Sequence, residues 1–211
     1  MSSTAAPVTL SDLIPRSSIR QQAMLRDAAL MLGFALFTAL CAQISIHLSF
    51  TPVPVTGQTL GVLLSGATLG ASKGAASQAL YWVLGATGLP FYAASPTGRG
   101  GWHIATGSSA GYFVGFIAAA ALIGHMAERR QDRTLLTSIA AMLLGTAVIY
   151  CFGVLWLAWD LNIPIVTGSL ATPTKSAFAW GLTPFLIGDM VKLLVAGALT
   201  PLAWRLSTDE R

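Results

Sequence analysis

The chain has 211 residues, of which 54% are hydrophobic and 9% are charged, and its mean hydropathy is +0.68. A soluble core of this size cannot bury so much apolar surface, so the composition predicts an integral membrane protein. The formal net charge of +4 would suggest nucleic acid as a partner of a soluble protein. Here the basic residues follow membrane topology instead, and no nucleic-acid partner is expected. The two cysteines, Cys41 and Cys151, fall inside apolar segments and indicate no disulfide framework.

The first 26 residues are polar and precede an apolar run that begins near Ala28. This run is longer than the apolar region of a typical signal peptide, so we interpret it as the first helix of the mature protein. Cleavage after Ala39 or Cys41 is the alternative. The predicted organisation is a polar cytoplasmic segment (residues 1–26), a six-helix membrane domain (residues 27–205) and a cytoplasmic tail (residues 206–211).

Hydropathy predicts an all-α fold with six membrane-spanning helices. The second and third predicted spans are short for a bilayer whose hydrocarbon core is about 30 Å thick. In chain order the predicted spans are Ala28–Ile46, Thr59–Ala71, Ala75–Tyr92, Ser109–Met126, Leu135–Trp159 and Thr183–Trp204.

Basic residues and tryptophans predict the orientation of these spans. With both termini in the cytoplasm, nine lysines and arginines lie on the inner side, and two, Arg99 and Lys175, lie in outer loops. This distribution agrees with the excess of positive charge found on cytoplasmic loops. Indole rings favour the two membrane interfaces, and four tryptophans fall there: Trp156, Trp159 and Trp180 on the outer side and Trp204 on the inner side.

The predicted outer loops are longer than the inner turns and are poor in charge. They comprise residues 47–58, 89–108 and 160–177. Their length and their content of Gly, Pro, Ser and Thr suit ordered caps over a pocket that is reached from outside. Plain connecting loops are the alternative.

Asp189 and Lys192 are the two ionisable side chains that fall well inside a predicted span. Their spacing places them on one face of a helix, and each costs roughly 2.5 to 3.5 kcal/mol to insert at mid-span unless it meets a partner, water or a ligand. Thr183 and Pro184 read as the N-cap and first residue of the last helix. Asp189 is then about 7 Å and Lys192 about 12 Å below the outer end of that helix. The pair is predicted to form the floor of a pocket, and a self-satisfied ion pair between helices is the alternative.

The first predicted span carries small residues at helical spacing, which permits close contact between helices. These residues are Ala29, Gly33, Ala35 and Ala39. The pattern leaves open whether the contact is made within the chain or with another protein.

The sequence shows no arrangement typical of catalysis. Ser109 and His125, a nucleophile and a base in one predicted span, are sixteen residues apart, which is roughly 24 Å along a helix and too far for proton transfer. His47 and His103 have no metal-ligand spacing. The P-loop pattern is absent, so ATP-driven transport would need a partner. We therefore expect a binding protein rather than an enzyme, with no metal and no organic cofactor.

Three segments resemble motifs of the BioY family, whose members are the biotin-specific S components of energy-coupling-factor transporters. Residues 50–61 read FTPVPVTGQTLG, residues 107–116 read GSSAGYFVGF and residues 184–192 read PFLIGDMVK. The middle segment departs from the GPTGGY pattern that is usual in the family, because Ser108, Ser109 and Ala110 replace the Pro, Thr and Gly of that pattern.

The resemblance implies six helices around a biotin site near the outer face. It implies that Asp189 and Lys192 contact biotin, since a carboxylate can accept from the ureido N–H groups and an ammonium can donate to a ligand oxygen. The segment Ser95–His103 corresponds to a glycine-rich stretch that supplies another polar contact in the family, which makes Arg99 a candidate for binding the ligand carboxylate. The remaining candidate contacts are Gln58, Tyr112, Trp82 and Tyr92.

The resemblance also implies partners. A transmembrane coupling subunit and two cytoplasmic ATPases would energise uptake, and the small residues Ala29, Gly33, Ala35 and Ala39 would pack on the coupling subunit. The location implied is the bacterial inner membrane, with several passes. Some family members act without a dedicated energising module, and the sequence does not decide between these cases. The alternatives are an S component for another vitamin, a membrane-embedded transferase or protease, and a scaffold whose ion pair is purely structural.

Overall fold

The structure is a computed structural model that describes residues 8–14, 17–95, 97–166 and 175–209. A short 3-10 helix at Leu10–Leu13 precedes the first long helix. The α-helices are α1 (Arg20–Gln43), α2 (Gln58–Leu69), α3 (Ala71–Ala86), α4 (Trp102–Ala105), α5 (Ala110–Glu128), α6 (Leu135–Asp160), α7 (Ala177–Gly181) and α8 (Leu186–Asp209). Two short antiparallel strands, β1 (Ser45–Ile46) and β2 (Val55–Thr56), lie between α1 and α2.

Four of these helices, α1, α5, α6 and α8, are long and apolar enough to cross a membrane. Helix α2 has 12 residues and α3 has 16, which gives lengths of about 18 Å and about 24 Å. Both are shorter than the hydrocarbon core of a typical bilayer. The prediction of a mostly helical membrane protein is confirmed, and by length and composition the described residues contain four spans.

The predicted boundaries agree best for α2, α5 and α6, each of which begins within one residue of its predicted start. Helix α1 begins at Arg20 instead of near Ala28, because its first two turns are helical but too polar to be detected by hydropathy. Helix α3 ends at Ala86, and Gly88 follows with φ of +103°. Tyr92, the last residue of the third predicted span, therefore lies in the loop after α3.

Helix α8 begins at Leu186, two residues after the predicted start. The Thr183 hydroxyl donates to the carbonyl oxygen of Ala179 at 2.7 Å, so Thr183 belongs to the turn after α7 and does not cap α8. The Asp189 N–H donates to the carbonyl oxygen of Phe185 at 2.8 Å. Asp189 thus lies in the first turn of α8, where the positive end of the helix dipole favours a carboxylate.

Two glycines bring α5 and α6 into close contact. A Cβ atom at Gly115 would lie 2.9 Å from the Cα of Ile149, and one at Gly111 would lie 2.5 Å from the carbonyl oxygen of Phe152. The two glycines are one turn apart on α5, so their face of the helix rests on the backbone of α6. Tyr150, next to Ile149, is 7% exposed.

The loops gather at two ends of the helical bundle. At one end lie the β1–β2 pair, α4 and α7, where the Thr51 hydroxyl donates to the carbonyl oxygen of Trp180 at 2.8 Å. At the other end Arg26 donates to the carbonyl oxygen of Ile14 at 3.0 Å and holds the 3-10 helix against α1. Trp204, which was predicted at the inner interface, is buried at this second end, and its indole N–H donates to Asp132 at 2.5 Å.

Candidate functional site

A cavity of about 150 Å³ lies beneath the loops that connect α1 to α2 and α3 to α5. Helices α2, α5, α6 and α8 supply its walls. Its polar groups cluster where α2 meets α6 and α8, and the rest of the lining is mainly aliphatic and aromatic. The polar residues of this cluster are Thr56, Gln58, Thr59, Tyr150 and Asp189.

The Asp189 carboxylate accepts three side-chain hydrogen bonds. Oδ1 accepts from the hydroxyl of Thr59 at 2.9 Å and from the ammonium of Lys192 at 2.5 Å. Oδ2 accepts from the phenol O–H of Tyr150 at 2.5 Å. A carboxylate offers about four acceptor positions, so Oδ2 retains capacity for one more donor. Asp189 is 5% exposed, and it lines the cavity.

The Lys192 ammonium lies on the side of Asp189 that faces away from the cavity. Besides its bond to Asp189 Oδ1, it donates to the carbonyl oxygen of Thr56 on β2. Lys192 is absent from the residues that line the cavity. In this arrangement the lysine neutralises the carboxylate and ties β2 to α8.

Gln58 begins α2 and faces the cavity. Its side-chain N–H donates to the hydroxyl of Tyr81, and its Oε1 accepts from the hydroxyl of Thr56 at 2.7 Å. Thr56 therefore contacts both polar branches of the site, since its carbonyl oxygen accepts from Lys192. The amide and the carboxylate form one connected polar network.

Aromatic rings form much of the remaining wall. Tyr92 and Phe113 stack with their ring centroids 4.8 Å apart, and both line the cavity. Tyr112 lines it as well and donates its hydroxyl to the carbonyl oxygen of Gly181 at 2.6 Å. Such a wall suits the apolar part of a small ligand.

Besides Lys192, two of the predicted contacts, Trp82 and Arg99, lie outside this cavity. The Trp82 indole N–H donates to the carbonyl oxygen of Ala105 at 3.1 Å, and its ring packs behind Phe113. Arg99 is exposed and donates to Gln43 Oε1 at 2.7 Å. The structure therefore brings together Asp189, Gln58, Tyr112 and Tyr92 at the cavity, with Lys192 directly behind them.

The small residues of α1 fall on two different faces. Ala35 and Ala39 are buried within the chain, so they are not available to a partner as the family resemblance implied. Ala29 and Gly33 are exposed, and a Cβ atom at Gly33 would meet no atom within 4 Å. The reason is helical geometry, because a shift of six residues turns a side chain by about 240° around the helix axis.

The sequence analysis missed Thr59 and Tyr150, which hold the two oxygens of Asp189. Thr59 directly follows Gln58 at the start of a predicted span, and Tyr150 lies between apolar residues in α6. A buried phenol needs a hydrogen-bond acceptor, and this requirement was the signal available for Tyr150.

Together these features define a class of protein: a helical membrane protein with a cavity that is lined by aliphatic and aromatic side chains and has a buried acid–base pair at one side of it. The chain belongs to the BioY family, whose sequence model matches residues 14–209.

Curated relatives agree with this membership, and a solved structure shares the fold. The biotin transporter BioY of Rhizobium etli is 37% identical over 182 residues, covering 82% of this chain and 90% of the relative. The biotin transporter BioY of Rhodobacter capsulatus is 37% identical over 169 residues, covering 75% of this chain and 86% of the relative. A crystal structure of the S-component for biotin from an ECF-type ABC transporter shares the fold, with a TM-score of 0.73 over 90% of this chain and 95% of that chain, at 21% identity.

Proposed function

We propose that this chain is the high-affinity biotin-binding membrane subunit of a biotin uptake system. The observation that carries the proposal is the Asp189 carboxylate, which is buried, paired with Lys192 and still lines a cavity. The relatives named biotin transporter BioY support biotin as the ligand. The chain binds and hands over the vitamin, and no covalent step is part of the proposal.

The ligand chemistry follows from the polar cluster. The ureido ring of biotin has N–H donors and one carbonyl acceptor, and it is uncharged. Asp189 Oδ2 accepts a ureido N–H in its remaining acceptor position. Because Lys192 already neutralises the carboxylate, a neutral head group completes the site without adding charge to it. The rings of Tyr92 and Phe113 cover the apolar remainder of the ligand.

The proposed topology has six spans and both termini in the cytoplasm, with α2 and α3 as the short pair. Seven described lysines and arginines lie at the end of the bundle opposite the cavity: Arg20, Arg26, Lys73, Arg129, Arg130, Arg133 and Arg205. Two, Arg99 and Lys175, lie at the cavity end. This asymmetry favours a cytoplasmic location for the end opposite the cavity. Biotin then enters from the outer face of the bacterial inner membrane.

The proposed energy source is an energy-coupling-factor module, with a transmembrane coupling subunit and two cytoplasmic ATPases. The coupling subunit docks on the exposed face of α1 around Ala29 and Gly33. A surface groove of about 410 Å³ lies there, and Phe34 and Phe37 also line it. Small residues beside a groove permit close approach of another helix in the membrane.

We also propose that the chain is not an enzyme. Ser109 and His125 lie at opposite ends of α5, and the Ser108 hydroxyl donates to Asp160 at 2.7 Å. Neither serine lies within reach of that histidine, so this pair cannot transfer a proton.

Calorimetric titration of the purified protein tests the ligand. Biotin should bind tightly, whereas thiamine and riboflavin should not bind at the same concentrations. Tight binding of another vitamin, with none of biotin, would replace biotin as the ligand.

Uptake of labelled biotin by vesicles that contain the complete transporter tests the docking face. Gly33→Leu should abolish ATP-dependent uptake and leave equilibrium binding unchanged. Leu32→Phe, which enlarges an exposed residue about 100° away on α1, is the control and should support uptake. Normal uptake by Gly33→Leu would contradict docking at this face.

A further inference from the structure

A second cavity, a groove of about 440 Å³, lies between α6 and α8. It opens to the outside of the bundle, where Leu143, Leu155 and Met190 are each about half exposed. Its lining is almost entirely apolar. Two residues, Tyr150 and Asp189, line both this groove and the central cavity.

Tyr150 therefore lies between the central cavity and the groove. Its ring packs against Phe185, with the centroids 6.4 Å apart, and its hydroxyl donates to Asp189 Oδ2 at 2.5 Å. The hydrogen bond fixes the ring across the boundary between cavity and groove, because a buried phenol has few other acceptors in an apolar wall. The same bond fixes the plane of the carboxylate, whose other oxygen is held by Thr59 and Lys192.

We propose that Tyr150 is both a positioning residue for Asp189 and the residue that limits the size of the ligand at its ureido end. The inference rests on the proposed function, since it assigns the ureido ring to Asp189. The phenol O–H leaves Oδ2 one acceptor direction, which points a ureido N–H into the cavity. The phenol ring closes the cavity against the groove, so a substituent on the ureido nitrogen has no room.

The second role follows from the shapes of the two spaces. The groove is nearly three times as large as the cavity. Removing the Tyr150 ring joins them beside Asp189, at the point where the ureido ring binds. Removing only the hydroxyl keeps the ring in place and loosens the carboxylate. The two roles are thus separable by substitution.

The test compares the binding of biotin and of biotin methylated on a ureido nitrogen to purified variants in detergent. Wild type should bind biotin and reject the methylated form by about 100-fold or more. Tyr150→Phe should bind biotin about 10-fold or more weakly, because a hydrogen bond to a charged group is lost, and should still reject the methylated form. Tyr150→Ala and Tyr150→Leu should reduce that discrimination at least about 10-fold, and the part that remains comes from the N–H donor that methylation removes.

Phe116→Ala is the matched control, since Phe116 lines the central cavity but not the groove. It should weaken binding of both ligands while keeping wild-type discrimination. Unfolding temperatures identify any variant that fails to fold, and Tyr150→Phe is close to isosteric. If wild type binds biotin but Tyr150→Phe binds it equally well, or if both smaller variants discriminate against the methylated form as strongly as wild type does, the inference is wrong. If wild type does not bind biotin at all, the proposed function fails instead.

Discussion

Two buried carboxylates, one near each end of the helical bundle, have different surroundings. Asp189 is 5% exposed and Asp132 is 3% exposed. Asp189 accepts from two hydroxyl groups and an ammonium. Asp132 accepts the indole N–H of Trp204 at 2.5 Å and lies 3.4 Å from the Arg133 guanidinium. Both carboxylates are therefore compensated, and burial alone does not distinguish them.

The difference lies in the space beside each carboxylate. Asp189 lines the cavity and the groove, whereas Asp132 lines neither. The guanidinium of Arg133 stacks on the Trp204 ring, 3.2 Å from its centroid, and this pair packs beside Asp132. Asp132 connects the α5–α6 loop to α8 and is structural. A buried carboxylate indicates a ligand site when it also has an adjoining cavity and unused acceptor capacity.

The largest expected effect concerns the stability of the Asp189–Lys192 pair. Replacing Lys192 by Met leaves the Asp189 charge without its counter-charge, which should lower the free energy of unfolding by about 3 kcal/mol. Thermal unfolding in detergent measures this loss. The Asp189→Asn and Lys192→Met double variant removes both charges and should recover most of it. An unchanged melting temperature in Lys192→Met would mean that the pair contributes nothing to folding.

The next largest effect separates the two carboxylates by ligand binding. Asp189→Asn should weaken biotin binding by about 100-fold, because a hydrogen bond to a charged acceptor is worth roughly 1.5 to 3 kcal/mol. Asp132→Asn is the matched control and should bind biotin as wild type does. Calorimetric titration of both variants gives the comparison, and equal affinities would remove the functional distinction between the two residues.

A smaller effect is expected at Thr59, which holds Asp189 Oδ1. Thr59→Val keeps the shape of the side chain and removes the donor, so affinity should fall about 5-fold, corresponding to about 1 kcal/mol. Thr146→Val makes the same change on the groove side of α6, where the hydroxyl donates to the carbonyl oxygen of Met142. The same binding assay should give wild-type affinity for Thr146→Val; a loss equal to that of Thr59→Val would point to a general effect of removing hydroxyl groups.

The smallest effect concerns pH and Asp132. Burial raises the pKa of the Asp132 carboxyl above its usual range. The folded protein then holds this proton more tightly than the unfolded chain, so the contribution of Asp132 to stability increases as pH falls through the raised pKa and is lost above it. Asp132→Asn keeps an acceptor for Trp204 and lacks this titration.

Melting temperatures measured from pH 7 to pH 4 should therefore rise more, or fall less, for wild type than for Asp132→Asn. The difference between the two proteins corresponds to about 1 kcal/mol or less. Parallel curves for the two proteins would show that the carboxyl titrates normally.

The sequence predicts the long helices of the fold better than its short elements. Composition determines the long apolar helices, so α5 and α6 begin where hydropathy places them. Helices α4 and α7, with four and five residues, are too short to show a periodic pattern. The strands β1 and β2 have two residues each and depend on the loop that joins them.

The site residues that the sequence reveals are those whose polarity does not suit an apolar span. A charged pair inside an apolar span is costly, so Asp189 and Lys192 stand out in the sequence. Tyr150 is compatible with an apolar helix, and its partner lies on another helix, so its role became visible only in three dimensions. Arg99 was assigned to the ligand because its loop corresponds to a segment that supplies a polar contact in the BioY family, whereas the structure pairs it with Gln43 at the end of α1.

The most direct test of the account is an experimental structure of the protein with biotin bound, in a lipid nanodisc. We expect the ureido ring in the central cavity, with one ureido nitrogen about 3 Å from Asp189 Oδ2 and the Tyr150 hydroxyl still bonded to the same oxygen. Biotin bound elsewhere, with Asp189 and Lys192 contacting only protein, would contradict the claim that the buried pair is retained for the ligand.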